Sequence, residues 1–360
     1  MRLIHSGKFT DKKILLIDKD TKSKNDRTWC FWEIQPGFFE DIVYRTWDTI
    51  SFLSDDFSAT TNIGPYQYKM IRGIDFYNYC FDEIKKNPGI EILNGCLNTG
   101  YSHKEGVTIN VDDKIFHLES ATIFNSIASL DNKLPGEIKL LQHFKGWVIE
   151  SDKPVFDPGI ASIMDFRVHQ DHGTTFAYVL PFSEKKALVE YTLFTKTLLE
   201  QQQYDIELKK YLAEILKLED YIVSDTEFGV IPMTNRKFEF QNNGVFNIGT
   251  AGGQTKASSG YTFQFIQKQS QQIADCLANG DSLFSIPGPS KRFRFYDNTL
   301  LHILYNNKLQ GKKIFTDLFQ KNKPQDVLRF LDNESSLSED FKIISSLPAL
   351  PFLKAAIKTL

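Results

Sequence analysis

The chain has 360 residues, a formal net charge of −3 and a mean hydropathy of −0.30, enough length to bury a large core in two interleaved domains and too long for a small binding module. The lack of a basic excess excludes nucleic acid as a partner. Cys30, Cys80, Cys96 and Cys276 lie far apart without a C-x-x-C pair, and no apolar run approaches the about eighteen residues of a membrane span. These features argue against structural zinc, a disulfide framework and export, and fit a reducing cytoplasm.

Met1, Leu3 and Ile4 ahead of Ser6-Gly7 predict the last turns of a helix with a glycine cap. The apolar run at 13–18 then predicts a buried parallel strand. Asp18, at its end, stands where a dinucleotide-binding unit holds a ribose hydroxyl, and it reads equally as a solvated strand-end acid. Neither the first strand of such a unit nor its G-x-G-x-x-G loop precedes it. The expectation is a cofactor unit entered inside its first helix, through a late gene start or a truncation.

The spacing of Phe76, Tyr79, Cys80 and Ile84 predicts a helix over 66–84, broken by Asn87-Pro88-Gly89. Short strands of a small sheet are expected at 90–93, 107–111 and 115–118. The clearest hairpin joins aromatic and β-branched strands at 176–182 and 187–194 through Ser183-Glu184-Lys185-Lys186. Its second strand places Leu188, Glu190, Thr192 and Phe194 on one face, so a carboxylate sits among apolar neighbours. A helical pattern follows at 195–218. Phe246-Asn247-Ile248-Gly249 ends a strand before a glycine-rich turn, and a helix is expected from about 261 to 277. Beyond Pro287-Gly288-Pro289 the chain becomes a Lys-rich helical tail.

A strand, a turn holding Gly249, Thr250, Ala251, Gly252 and Gly253, and a helix bring backbone N–H groups together, as phosphate or an electron-rich ring edge requires; a plain structural turn is the alternative. Thirty Phe and fourteen Tyr read as a Phe-rich core or as the lining of an apolar tunnel. His169 and His172 are spaced like metal ligands, but no third ligand lies near, and a polar loop is the reading.

GTAGGQTKASSGYTF, beginning at Gly249, resembles the second FAD-contacting segment of lycopene cyclases, with Ser258-Ser259 where that family usually has Ser-Thr. NDRTWCFW, RGIDFY, QHFKGW, FDPGIASIMDFRV, YVLPFS, LVEYTLF and GVIPM resemble further family landmarks in family order, over roughly 18–261. The tail resembles the family only in being helical.

The resemblance implies an α/β fold: an FAD-binding, glutathione-reductase-like (Rossmann-type) domain with an inserted, mostly antiparallel substrate sheet and a helical C-terminal part. The expected limits are 1–65, 77–130 and 225–280 for the cofactor domain, 66–76 and 131–224 for the substrate lobe, and 281–360 for the cap. It implies FAD in the reduced form, with NADPH or another donor as reductant, held by Asp18, Arg27, Gly249, Thr250, Ala251, Gly252, Gly253 and Thr255. Arg27 reads equally as a surface residue at a helix start. The implied substrates are lycopene and other carotenoids, met at the inner membrane by a peripheral cytoplasmic protein that uses no metal.

Glu190 falls on the family's catalytic acid, with Tyr191 where plant-type members carry a second acid. Cyclisation begins when a proton adds to a terminal C=C bond. A free Glu, with a pKa of about 4.3, is ionised at neutral pH, whereas burial raises that pKa and keeps the proton. Asp165 is the second catalytic candidate, and a structural pair with Arg167 its alternative. Tyr178, Leu180 and Phe194, near Glu190 in the hairpin, are expected to line the substrate path. Two rival readings stay open: a flavin-dependent reductase or hydroxylase of an isoprenoid, marked by NADPH consumed in proportion to product, and an inactive carotenoid-binding protein.

Overall fold

The computed structural model describes residues 1–103, 106–119, 121–128 and 134–359. At its centre lies a seven-stranded sheet built from β4 (Thr49–Leu53), β5 (Ser58–Asn62), β12 (Lys139–Glu150), β13 (Ile160–Asp165), β14 (Thr174–Ser183), β15 (Lys186–Thr195) and β16 (Ile222–Thr234), in the order β16-β12-β15-β14-β13-β4-β5. Every neighbouring pair is antiparallel except β13–β4. The expected hairpin forms, with Ser183 paired to Lys186, so the connection tightens to the two residues Glu184-Lys185. The sheet also takes in 49–62 and the 225–234 part of β16, outside the expected lobe limits of 66–76 and 131–224, because those strands complete its two edges.

Both faces of this sheet are covered. Val189, Tyr191, Leu193, Ala177 and Val179 point to α3 (Gln201–Lys210) and the π-helical turn Tyr211–Ile215 that prolongs it. Leu188 and Phe194 point the other way with Phe176, Tyr178 and Leu180. That side is covered by a small sheet of β2 (Thr28–Glu33), β3 (Arg45–Trp47) and β6 (Gln67–Arg72), and by the C-terminal helices α5 (Lys291–Tyr305), α6 (Gly311–Lys321), α7 (Pro324–Leu331), α8 (Leu337–Ser345) and α9 (Ala349–Thr359). Phe315 of α6 stacks on Phe166 at 5.9 Å and Phe319 on Phe52 at 4.6 Å. Much of the Phe content is thus core packing.

The expected helix over 66–84 is split: 67–72 is β6, and helix α2 spans Gly73–Lys85. Alternate residues of β6 serve opposite cores, Tyr68 and Met70 one and Ile71 the other, and its ladder partners come from β2 and β3. Long-range pairing overrides the local helical spacing there.

The remaining strands frame the cofactor-type unit. β1 (Ile14–Asp18) runs parallel to β7 (Ile90–Asn94), and β11 (Ile123–Asn125) parallel to β18 (Val245–Asn247), which β17 (Gln241–Asn242) flanks. Ile17, Leu93 and Ile123 pack on Val107 and Ile109 of a meander formed by β8 (Leu97–His103), β9 (Gly106–Val111) and β10 (Lys114–Leu118). The opening helix α1 (Arg2–Ser6) ends on Gly7 at φ +66° and rests on α4 (Phe263–Asn279), where Arg2 donates to Gln267.

Candidate active site

Glu190 lies mid-strand in β15, and the sheet register places Tyr178 opposite it on one side and Gly146 of β12 on the other. Gly146 in turn pairs with Glu227 of β16. Tyr178, Glu190, Gly146 and Glu227 therefore form one row across four strands. A side chain at 146 would interrupt it: a Cβ there would stand 3.0 Å from Glu227 Cγ and 2.9 Å from Leu188 Cδ1. The bare backbone lets two carboxyls from strands that are not neighbours face each other.

Both acids are buried, Glu190 at 8% and Glu227 at 9% exposure. Thr192 Oγ1 donates to Glu190 Oε1 at 2.6 Å, and Thr28 Oγ1, arriving from β2, donates to Glu227 Oε2 at 2.7 Å. Glu227 Oε1 hangs over Gly146 with no hydrogen-bond partner, and a protonated Glu190 would give it a donor. Burial first, and the facing Glu227 carboxyl second, push Glu190 well above the usual carboxylate range; Thr192 opposes this. Burial also raises Glu227, against the hydrogen bond from Thr28. Both shifts favour the protonated form of the pair.

The side of Glu190 away from Glu227 is aromatic. Tyr178 faces Tyr261, whose ring meets Trp32 edge-on at 4.6 Å, and burial pushes the Tyr261 hydroxyl up to about 12. Tyr261 closes the loop that begins at the glycine turn, so that loop and Glu190 meet here. Gly260, at φ +71°, packs so closely on Gln142 of β12 that a Cβ would lie 2.0 Å from its Oε1. A cavity of about 250 Å³ opens on the Glu227 side, bounded by Thr28, Met70, Val148, Leu188 and Glu227, with Arg72, Lys186 and Asp225 in its wall.

Leu180 and Phe194 share the face of Glu190 with Tyr178, all buried or half-buried. Asp165 does not join them. It pairs with Ala177, lies on the α3 side, and is consumed by Arg167 Nε at 2.9 Å and Tyr211 Oη at 2.7 Å. Asp18 is half exposed at the end of β1 and pairs with Lys22 at 3.2 Å. Arg27 is half exposed on Asp26. Gly249, Thr250, Ala251 and Gly252 form a tight turn after β18, Gly253 follows at φ +76°, and the Thr250 hydroxyl meets that of Thr255 at 3.2 Å. Among the described residues no group of three His, Cys, Asp or Glu is placed to hold a metal ion.

Glu227 is the residue that sequence reading missed. Its one signal is an acid two residues ahead of the GVIPM landmark in an alternating strand, which does not tell a buried carboxyl from an exposed one.

A search of curated protein sequences found no significant match. Similar solved structures include a geranylgeranyl bacteriochlorophyll reductase-like protein from Thermoplasma acidophilum (TM-score 0.61, 11% identity, 99% of this chain and 93% of that one). They also include the flavin-dependent brominase Bmp2 (0.60, 13%, 99% and 95%) and a flavoprotein/dehydrogenase from Cytophaga hutchinsonii (0.60, 11%, 99% and 94%). At such identities the likeness shows a shared fold, the α/β flavoprotein type with an inserted sheet and C-terminal helices. The family described as lycopene cyclase protein matches residues 4–357, nearly the whole length. With that match spanning the Glu190 strand, the glycine turn and the helical cap alike, the chain belongs to the lycopene cyclase family.

Proposed function

We propose that this protein is an isomerase that cyclises the ends of lycopene to β-rings, giving γ- and β-carotene, by proton donation from Glu190 without net redox change. The observation that carries this reading is a buried carboxyl that burial and a facing carboxyl bias toward its protonated form, with an aromatic wall on its other side. The Glu190 O–H bond breaks, a C–H bond forms at the terminal double bond, and the neighbouring double bond attacks the tertiary cation. Loss of a ring proton completes the product. The faces of Tyr178, Tyr261 and Trp32 contribute roughly 0.5–2 kcal/mol each to a cation lodged among them. The hydrocarbon end is assigned to this aromatic side, since the cavity beyond Glu227 is lined with charge.

The glycines of the Gly249–Gly253 turn are required by its own packing: a Cβ on Gly252 would meet Asn247 O at 2.4 Å, and Gly253 holds a left-handed conformation. FAD is assigned to this protein on the family match and the flavin-dependent structural neighbours. This turn, Thr255, Arg27 and the Asp18 carboxylate are assigned to hold it. Reduced flavin would supply negative charge beside the developing cation.

No helix among the described residues is long and apolar enough to cross a membrane. Peripheral membrane contact is assigned to α8 and α9, where Leu337, Phe341, Leu350, Leu353 and Ile357 are exposed beside Lys342, Lys354 and Lys358.

The test is expression in a lycopene-accumulating host with pigment chromatography. Conversion to ring-bearing carotenoids is expected; unchanged lycopene, or a reduced or hydroxylated product formed with stoichiometric NADPH consumption, overturns the reading.

A further inference from the structure

We propose that Glu227 is a proton relay, carrying protons between the polar cavity and Glu190 across the bare backbone of Gly146. The inference rests on the cyclisation reading of the same site and adds the route by which its acid is recharged.

Glu190 itself has no place in the cavity wall. Glu227 does, and Asn25, Arg72, Lys186, Ser224, Asp225 and Thr226 around it make that space fit for water. Each acid has one oxygen held by a threonine, Glu190 by Thr192 of its own strand and Glu227 by Thr28 of β2, which leaves the other oxygen to its partner. Glu227 Oε1, over Gly146, is the group that can pass a proton inward. Asp225 and Asp26 are the acids that bear on Glu227, and Cys30 and Tyr178 the titratable groups that bear on Glu190. Burial raises both Cys30 and Tyr178 and so favours their neutral forms, and neither competes for a proton on the chain water–Glu227–Glu190.

The step balances. Glu190 gives one proton to the substrate and becomes a carboxylate. A hydronium ion in the cavity protonates Glu227 and becomes water while Glu227 passes a proton to Glu190. The proton shed by the ring leaves by the same two carboxyls in reverse and restores the hydronium ion, so none is consumed and no oxidant or reductant is needed.

The experiment follows the carboxyl of Glu190 in substrate-free protein by infrared spectroscopy after transfer to D2O, with Glu190→Gln assigning the band. Rapid deuteration is expected in the native protein. Glu227→Gln keeps the volume but cannot relay, and Gly146→Ala keeps both acids but inserts a methyl between them. Each should slow deuteration on the order of 10²-fold, and ring product made in D2O by either variant should carry less deuterium. Circular dichroism checks that both fold. Deuteration of both variants at the native rate overturns the relay. Slowed deuteration in a protein that leaves lycopene unchanged keeps the relay and overturns the cyclisation reading instead.

Discussion

Lys256, on the loop between the glycine turn and Tyr261, is buried with its ammonium 2.8 Å from the carboxylate of Asp297 in α5. Asn333 accepts a second hydrogen bond from it at 2.6 Å, and Ser258 donates to the same aspartate at 2.6 Å. The loop that brings Tyr261 to Glu190 is therefore pinned to the helical cap.

Lys256→Met leaves Asp297 charged and buried, which should cost about 3–5 kcal/mol. Urea unfolding measures it. A loss well under 1 kcal/mol would show that water already reaches this pair.

Glu190→Gln should lower cyclisation by about 10²–10⁴-fold while the protein still folds. The sign of its stability effect depends on pH. A carboxyl raised in the folded state contributes most below its unfolded pKa of about 4.3, and that contribution is lost as pH rises through the folded value. The Gln variant should therefore gain stability relative to the native protein as pH increases. Denaturation midpoints compared at acidic and alkaline pH check this, and a constant difference would place the Glu190 proton elsewhere.

Asp165→Asn should destabilise by about 1–3 kcal/mol, because Arg167 loses its charge partner and one of the two oxygens that accept from Arg167 and Tyr211 becomes an amide nitrogen. Since the site lies across the sheet from Glu190, the pH profile and the identity of the ring product should not move. A shifted profile in pigment assays would return Asp165 to the chemistry.

Leu353→Glu with Ile357→Glu should release the protein from vesicles of anionic phospholipid in co-sedimentation, with circular dichroism unchanged. These residues are 60% and 74% exposed, so the change costs little in the fold. Full retention on vesicles would assign membrane contact to another surface.

Alternation around Glu190 was readable because β15 keeps period two along its ten residues, the register shift of the hairpin falling at Pro181–Ser183 of β14. The split at β6 was not, since its partners at 28–33 and 45–47 lie outside any local window. Glu190 carried a motif and a chemical reason, and its burial follows from apolar neighbours on both sides of the strand. Glu227 carried neither, because the contact that matters runs over a third strand whose register only the assembled sheet defines. The fate of Asp165 turned on one bulge between Ser162 and Asp165, which fixes the face it occupies.

The parallel pairing of Thr49–Leu53 with Ile160–Asp165 joins segments separated by nearly a third of the chain. Closing so long a loop costs entropy before any contact repays it, so this part of the sheet is expected to be among the slow steps of folding. The row of Tyr178, Glu190, Gly146 and Glu227 draws on four strands from within the same sheet and does not exist in any hairpin alone. Newly made protein should thus show secondary structure before it shows activity, with its apolar strands exposed to aggregation in the interval.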